Sequence, residues 1–365
     1  MNEKNIIIID TDNETTLKIK SVLVVQTAFP GDVILTLPLV QILKKSIPDV
    51  VIDMLVIPKC AEILSNHTSI NEVIVYDKKN SESGLKGFFK KVNILKNKKY
   101  DCAFIPHRSI RSALLVKMAH IPKRIGFNKS VGKFLYTDII PYDGTKHEIG
   151  RNCSLLQAIG IENYGKEYPQ LFPSFYDKKK ISHYLSEHGI QHMNNIIGIA
   201  PGTVWKTKQW PLERFSELAN KFTSNGYNIV LIGGNEDVKL CEEIKNKVNS
   251  RLILNAAGKL TFLQSAELIG RCRLLVTNDS APMHLAVAMK TTVVAIFGAT
   301  IPEFGFAPYG DFDVVIETKG LTCRPCSIHG GNKCPVKTFD CMYNIKVDDV
   351  YDNAVRLLKN KYKNQ

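Results

Sequence analysis

The chain has 365 residues, a formal net charge of +13 and a sequence pI near 9.2, with 44% apolar and 23% charged residues. That length suffices for two α/β domains with a core each, and the composition is that of a water-soluble globular protein. It holds no apolar run of the ~18 residues or more that a membrane span needs, and no zinc-finger repeat, heptad basic region or aromatic-interleaved basic stretch that would argue for nucleic acid.

Residues 1–19 read as an extension. Their brief apolar run at 6–9 lies among acidic and polar residues, without the basic start and long apolar core of a secretory signal, so a cytoplasmic protein is expected. A buried-type strand over 22–26 leads into the turn Thr27-Ala28-Phe29-Pro30-Gly31-Asp32. A helix over 33–46 follows, with Val33, Leu37, Val40, Ile42 and Leu43 on roughly one face. Further strands are predicted over 50–57, 73–76, 102–105 and 124–127, with helices near 85–95 and 110–119. Strands alternating with helices imply a parallel, doubly wound sheet.

Residues 163–176 carry Pro169 and Pro173 and no apolar periodicity, which places a linker near 166–176. The alternation then restarts, with strands over 196–200, 228–232, 252–255, 274–276 and 292–297 and helices over 212–223, 238–248, 262–270 and 285–289. The expected division is an extension (1–19), a first Rossmann-like domain (20–170), a second (177–343) and a C-terminal helix (344–365). Two such sheets leave a cleft, a usual place for a ligand.

Four turns fall where strand carboxyl ends should face that cleft. In Pro30-Gly31-Asp32 the glycine permits a tight turn and a carboxylate stands at a helix start, where it is electrostatically favoured. Ala200-Pro201-Gly202-Thr203 runs into a loop with Lys206, Lys208 and both tryptophans, Trp205 and Trp210, which suggests a ligand-lining or interdomain wall. Gly233-Gly234-Asn235-Glu236 offers an acidic residue suited to ribose hydroxyls, or a first-turn helix carboxylate. Thr277-Asn278-Asp279-Ser280-Ala281-Pro282-Met283-His284 joins a strand to a short helix whose start could hold an anion; alternatively Asp279 or Ser280 merely caps it. No Walker A or G-x-G-x-x-G fingerprint is present, which argues against ATPase and dehydrogenase activity.

Five scattered cysteines, Cys60, Cys102, Cys153, Cys241 and Cys272, read as small core residues. Cys323, Cys326, Cys334 and Cys341 cluster late, with His329 between. Structural zinc is the minor reading of that cluster, and reduced thiols packing an irregular loop the major one.

Together these motifs resemble glycosyltransferase family 9, the ADP-heptose:lipopolysaccharide heptosyltransferases. The matching segments are Val22 to Gln26 with Gly31 to Pro38, Pro201-Gly202, Lys208-Gln209-Trp210-Pro211, Thr277 to Ala286 and Phe297-Gly298-Ala299-Thr300. The cysteine-bearing tail, Cys323-Arg324-Pro325-Cys326 through Cys341-Met342, is similar to that of the family's heptosyltransferase II branch. The resemblance implies a GT-B fold and inverting transfer of heptose from ADP-heptose to a lipid A-Kdo-heptose acceptor, with no required cofactor or metal. It implies Asp32 as catalytic base, and Thr203, Lys208, Glu236, Asp279, Ser280 and His284 at the donor. One departure is Ala281, where many relatives have glycine; alanine suits unless φ there is positive. For an anionic glycolipid acceptor the cationic candidates are Arg108, Arg111 and Arg124. A monomer, peripheral to the cytosolic face of the inner membrane, is expected. The alternatives are a family 9 enzyme using another nucleotide sugar and a GT-B nucleotide-sugar epimerase.

Overall fold

The computed structural model describes residues 19–190 and 195–360. The predicted extension, apart from residue 19, and the end of the chain beyond 360 lie outside the described residues. The first sheet is built from β1 (Ser21–Val25), β2 (Val51–Val56), β3 (Glu72–Val75), β4 (Cys102–Ile105), β5 (Lys123–Phe127) and β6 (Asp138–Ile140). Its helices are α1 (Pro30–Ser46), α2 (Pro58–Ala61), α3 (Gly84–Lys98), α4 (Ile110–Met118) and α5 (Glu148–Ser154). The strands pair in parallel in the order β3-β2-β1-β4-β5-β6.

After α6 (Phe175–Glu187), the second sheet takes β7 (Ile196–Ala200), β8 (Asn228–Leu231), β9 (Ile253–Asn255), β10 (Leu274–Asn278), β11 (Thr292–Phe297) and β12 (Val314–Glu317). Its helices are α7 (Leu212–Ser224), α8 (Val238–Val248), α9 (Phe262–Gly270), α10 (Ala281–Ala288), α11 (Asp340–Tyr343) and α12 (Val347–Asn360). The order β12-β11-β10-β7-β8-β9, again parallel, repeats the first sheet's winding. Both sheets therefore reverse direction once, between β1 and β4 and between β7 and β10, and ligands of open α/β sheets bind at the carboxyl ends of such reversals. Two tandem doubly wound sheets make the GT-B architecture that the sequence implied.

Helix α1 departs from its predicted one-sided pattern. Every residue from Val33 to Leu43 is buried, because α1 lies on the first sheet and also packs against α5 and α10. A helix apolar on all sides belongs in an interior, and here that interior is the contact between the halves. The short strands β6 and β12 and helices α5 and α6 also escaped the sequence reading; each is brief or weakly periodic. Helix α12 completes the second core, with Val350, Ala354 and Leu358 packed among Phe222, Val276 and Trp210. Trp210 corrects the expectation of a ligand-lining wall. It is fully buried, its indole N–H donates to the Ile345 carbonyl at 3.2 Å, and its ring meets Phe215 edge-on.

A buried arginine ties the halves together behind the cleft. Arg151, 2% exposed, donates to the carbonyls of Lys146 (2.7 Å) and Phe304 (2.5 Å) and to the Glu148 carboxylate (2.8 Å). The Glu148 N–H donates to the Gly305 carbonyl at 2.8 Å, binding the start of α5 to the loop after β11. Replacing Arg151 by alanine strands the buried Glu148 carboxylate, and removing one partner of such a pair costs ~3–5 kcal/mol. Calorimetry should show a clear loss of thermal stability in Arg151→Ala, largely restored by adding Glu148→Gln.

Candidate functional site

The second sheet's reversal is closed by side chains. The Asn278 amide donates to the Pro201 carbonyl at 2.8 Å, and its oxygen accepts from the Trp210 N–H at 3.1 Å. These bonds clamp the loop after β7 to the end of β10 and fix the short turn, Lys206–Lys208, that carries Lys208. Lys208 Nζ then lies 2.6 Å from Asp279 Oδ2, with the two side chains 12% and 8% exposed. The same carboxylate oxygen accepts from Thr300 Oγ1 at 2.7 Å.

Neither capping alternative at the start of α10 is realised. Asp279 is engaged by Lys208 and Thr300, and Ser280, the residue before the helix, turns toward Thr277 and the Asn278 carbonyl at 3.4 Å. No side chain caps α10, which leaves its first turn able to receive an anion. Ala281 is absent from the residues with positive φ, so the missing glycine costs nothing here. Thr203 is half-buried on the loop after β7, and its hydroxyl accepts from the Trp205 N–H at 3.5 Å. Glu236 is exposed on the turn after β8. Its neighbour Asp237, which the sequence reading passed over, receives the Gly234 N–H at 2.9 Å, and its carboxylate fills the space beside Gly202.

Across the cleft, Asp32 occupies the third position of α1 and accepts the Phe29 N–H at 3.1 Å. Burial pushes its carboxyl above the usual carboxylate range, against the opposing pull of the Phe29 bond and the cations Arg108 and Lys208. The halves touch here. A Cβ on Gly31 would lie 2.9 Å from Cδ2 of the buried His284 ring. Asp32, His284, Lys208 and Asp279 thus come from distant segments to one locus.

Burial lowers the His284 pKa to about 4, chiefly by desolvation. As the pH falls, the unfolded chain takes up this proton near 6.5 but the folded one does not until about 4. Stability is therefore lost across that window, by about 3 kcal/mol for this residue. Urea midpoints should fall from pH 6.5 to 4, and with a shallower slope in His284→Asn; equal slopes would show that His284 charges freely in the native protein.

The first sheet's reversal carries a cavity of about 380 Å³, lined by Thr27, Phe29, Lys59, Tyr76, Lys78 and His107 among others. Thr27 Oγ1 and His107 Nδ1 meet at 2.9 Å across the reversal, and Lys78 Nζ donates to the Thr27 carbonyl at 2.8 Å. Of the predicted cationic residues, Arg108 stacks on Tyr142, 4.6 Å from its ring centre, and acts electrostatically on Asp32. Arg111 donates to the Tyr76 hydroxyl at 2.7 Å, behind the cavity wall. Arg124 stands apart, its guanidinium bound to the carbonyls of Ile121, Pro122 and Leu135. Lys59 and Lys78 had no signal beyond their position after predicted strands, whereas His107 opens the cationic stretch that also holds Arg108 and Arg111.

The family model for Glycosyltransferase family 9 (heptosyltransferase) matches residues 89–333. The chain belongs to glycosyltransferase family 9. It is similar to lipopolysaccharide heptosyltransferase 2 of Salmonella typhimurium, 28% identical over 294 residues that cover 78% of this chain and 84% of that protein. Among solved structures it is similar to a family 9 glycosyl transferase from Veillonella parvula, with TM-score 0.86, 25% identity and coverage of 95% of this chain and 100% of that one. It is also similar to E. coli ADP-heptose lps heptosyltransferase II, with TM-score 0.78, 26% identity and coverage of 94% and 99%. This family 9 chain is accordingly a glycosyltransferase.

The cysteine-bearing tail packs against the end of β11. Arg324 donates to the Gly298 and Thr300 carbonyls and pairs with Glu317 at 2.6 Å, fastening the tail to the end of β11. The five scattered cysteines are buried as expected, and so is Cys341; Cys323, Cys326 and Cys334 are partly exposed. All nine are free thiols, and among the described residues no group of three or more metal-ligating side chains is arranged to hold a metal ion. No helix among those residues is long and apolar enough to cross a membrane.

Proposed function

We propose that this family 9 enzyme transfers heptose from ADP-heptose to the inner core of lipopolysaccharide, with inversion and with Asp32 as general base. The observation that carries this reading is the meeting of Asp32, from the first half, with the Lys208–Asp279 pair and the uncapped start of α10 from the second. An acceptor hydroxyl attacks the anomeric carbon while its proton passes to Asp32; the carbon–oxygen bond to the diphosphate breaks, and ADP leaves with the electron pair. Its growing charge is met by Lys208 and the α10 N–H groups. A raised Asp32 pKa suits a base, since the proton acceptor works best when its affinity approaches the working pH. Thr203, Ser280 and His284 complete the donor side in this proposal, with Glu236 offered to the ribose.

For the acceptor, the cavity beside Phe29 supports an anionic sugar, held by Lys59, Lys78 and His107 with Arg108 and Arg111 behind. Arg124 is left out, because its donors are already spent on carbonyls. The net charge of +13 favours work as a peripheral monomer against an anionic cytosolic membrane face. The test is transfer from ADP-heptose to a lipid A-Kdo-heptose acceptor, read as one heptose added to the glycolipid per ADP released. Turnover only with another nucleotide sugar would move the reading to that donor. Isomerised donor without any need for acceptor would make the protein an epimerase.

A further inference from the structure

The tail loop does more than pack against the end of β11, because it is hydrogen-bonded to the turn that carries Lys208. The Thr207 N–H donates to the Gly331 carbonyl at 2.9 Å, and the Gly331 N–H returns a bond to Thr207 Oγ1 at 2.8 Å. Ser327 Oγ donates to the Gly330 carbonyl at 2.9 Å, and the Cys326 N–H donates to the Ala299 carbonyl at 2.9 Å. Gly330 has φ +81°, and a Cβ there would meet Lys208 Cγ at 3.1 Å and Cε at 3.2 Å. Glycine at this place is what lets the loop lie along the lysine stem. The residue before it is His329, exposed and within electrostatic reach of Lys208 and of Arg108 from the other half.

We propose that His329 is a further donor-site residue, a proton-dependent cation that the tail loop holds beside Lys208 to face the donor diphosphate. This rests on the donor-site reading above. His329 is kept below its ordinary pKa by partial burial and by the cations Lys208 and Arg108. A diphosphate brings two negative charges that offset those two cations and attract the imidazolium directly, so the imidazole gains a proton as the donor binds. The other charged groups at this locus do not imitate that behaviour. Asp279 is already paired with Lys208, Asp32 lies across the cleft at the start of α1, and the buried His284 and His147 have pKa values lowered to about 4. Arg324, at the loop's base, is paired with Glu317.

The experiment is calorimetric titration with ADP-heptose between roughly pH 5.5 and 8.5, a range in which the donor does not titrate, because its terminal phosphate is esterified and lacks the monoester proton that ionises at about pH 6. Binding to the wild-type chain should tighten as the pH falls across that range and should take up protons, read from the dependence of heat on buffer ionisation. His329→Gln should weaken binding about tenfold at the acid end, less at the alkaline end, and abolish the proton uptake. His329→Lys, a permanent cation, should keep the affinity and lose the pH dependence. A His329→Gln chain that binds as tightly as wild type with the same proton uptake overturns the assignment while the donor site stands. A wild-type chain that binds no ADP-heptose overturns the donor-site reading itself.

Discussion

Asp32→Asn is expected to slow transfer by about a thousandfold while leaving ADP affinity within about twofold of wild type. The amide keeps the size of the side chain and an oxygen to receive the Phe29 N–H, so the turn before α1 survives. What it loses is the capacity to take a proton from the attacking hydroxyl. The groups proposed to hold the donor belong to the other sheet, which is why nucleotide affinity and turnover should separate. The pH profile gives a second readout. Because burial raises the Asp32 pKa, its deprotonated form, and with it kcat/KM, should be lost on acidification earlier than for an exposed carboxylate. Full activity in the variant, or an acid limb in the ordinary carboxylate range, would remove Asp32 from the proton transfer.

Lys208→Ala should lower kcat/KM by about 10²–10³ and weaken ADP as well, since in the proposed mechanism the lysine faces charge that is present in the donor and grows as the bond breaks. It also carries a stability cost, because Asp279 would keep only the Thr300 hydroxyl in a site where it is 8% exposed. A buried carboxylate deprived of its partner costs ~3–5 kcal/mol. The double change Lys208→Ala with Asp279→Asn separates the two effects: it should recover most of the lost stability, measured by urea unfolding, and none of the activity. An unchanged rate in Lys208→Ala would place the diphosphate elsewhere.

The residues that sequence reasoning found are those that sit in local patterns. Asp32, Lys208, Asp279 and His284 each follow or begin an element whose periodicity is plain, so the strand-turn-helix grammar puts them at a cleft before any contact is known. The Lys208–Asp279 pair itself was not legible, since 71 positions separate its members and only the Asn278 clamp brings the two loops together. Asp237 and Glu148 act through partners from other segments and have no pattern of their own; Thr300 and Arg324 stand in family-like segments, but their partners Asp279 and Glu317 do not follow from those segments. Trp210 was misjudged for the same reason: its partner, the Ile345 carbonyl, comes from the far end of the chain. Helix α1 shows a converse limit. Its one-sided reading assumed a single neighbour, and burial on every side follows only once α5 and α10 arrive.

Residue 31 has no side chain, and the imidazole of His284 already occupies the place where one would begin. The two halves of the enzyme thus close to within a methyl group of each other, right beside Asp32. Position 31 works as a shim. Alanine there would prop the jaws open by a few tenths of an ångström and valine by more, so a graded series at this one site measures how tightly the enzyme has to shut before a sugar can cross.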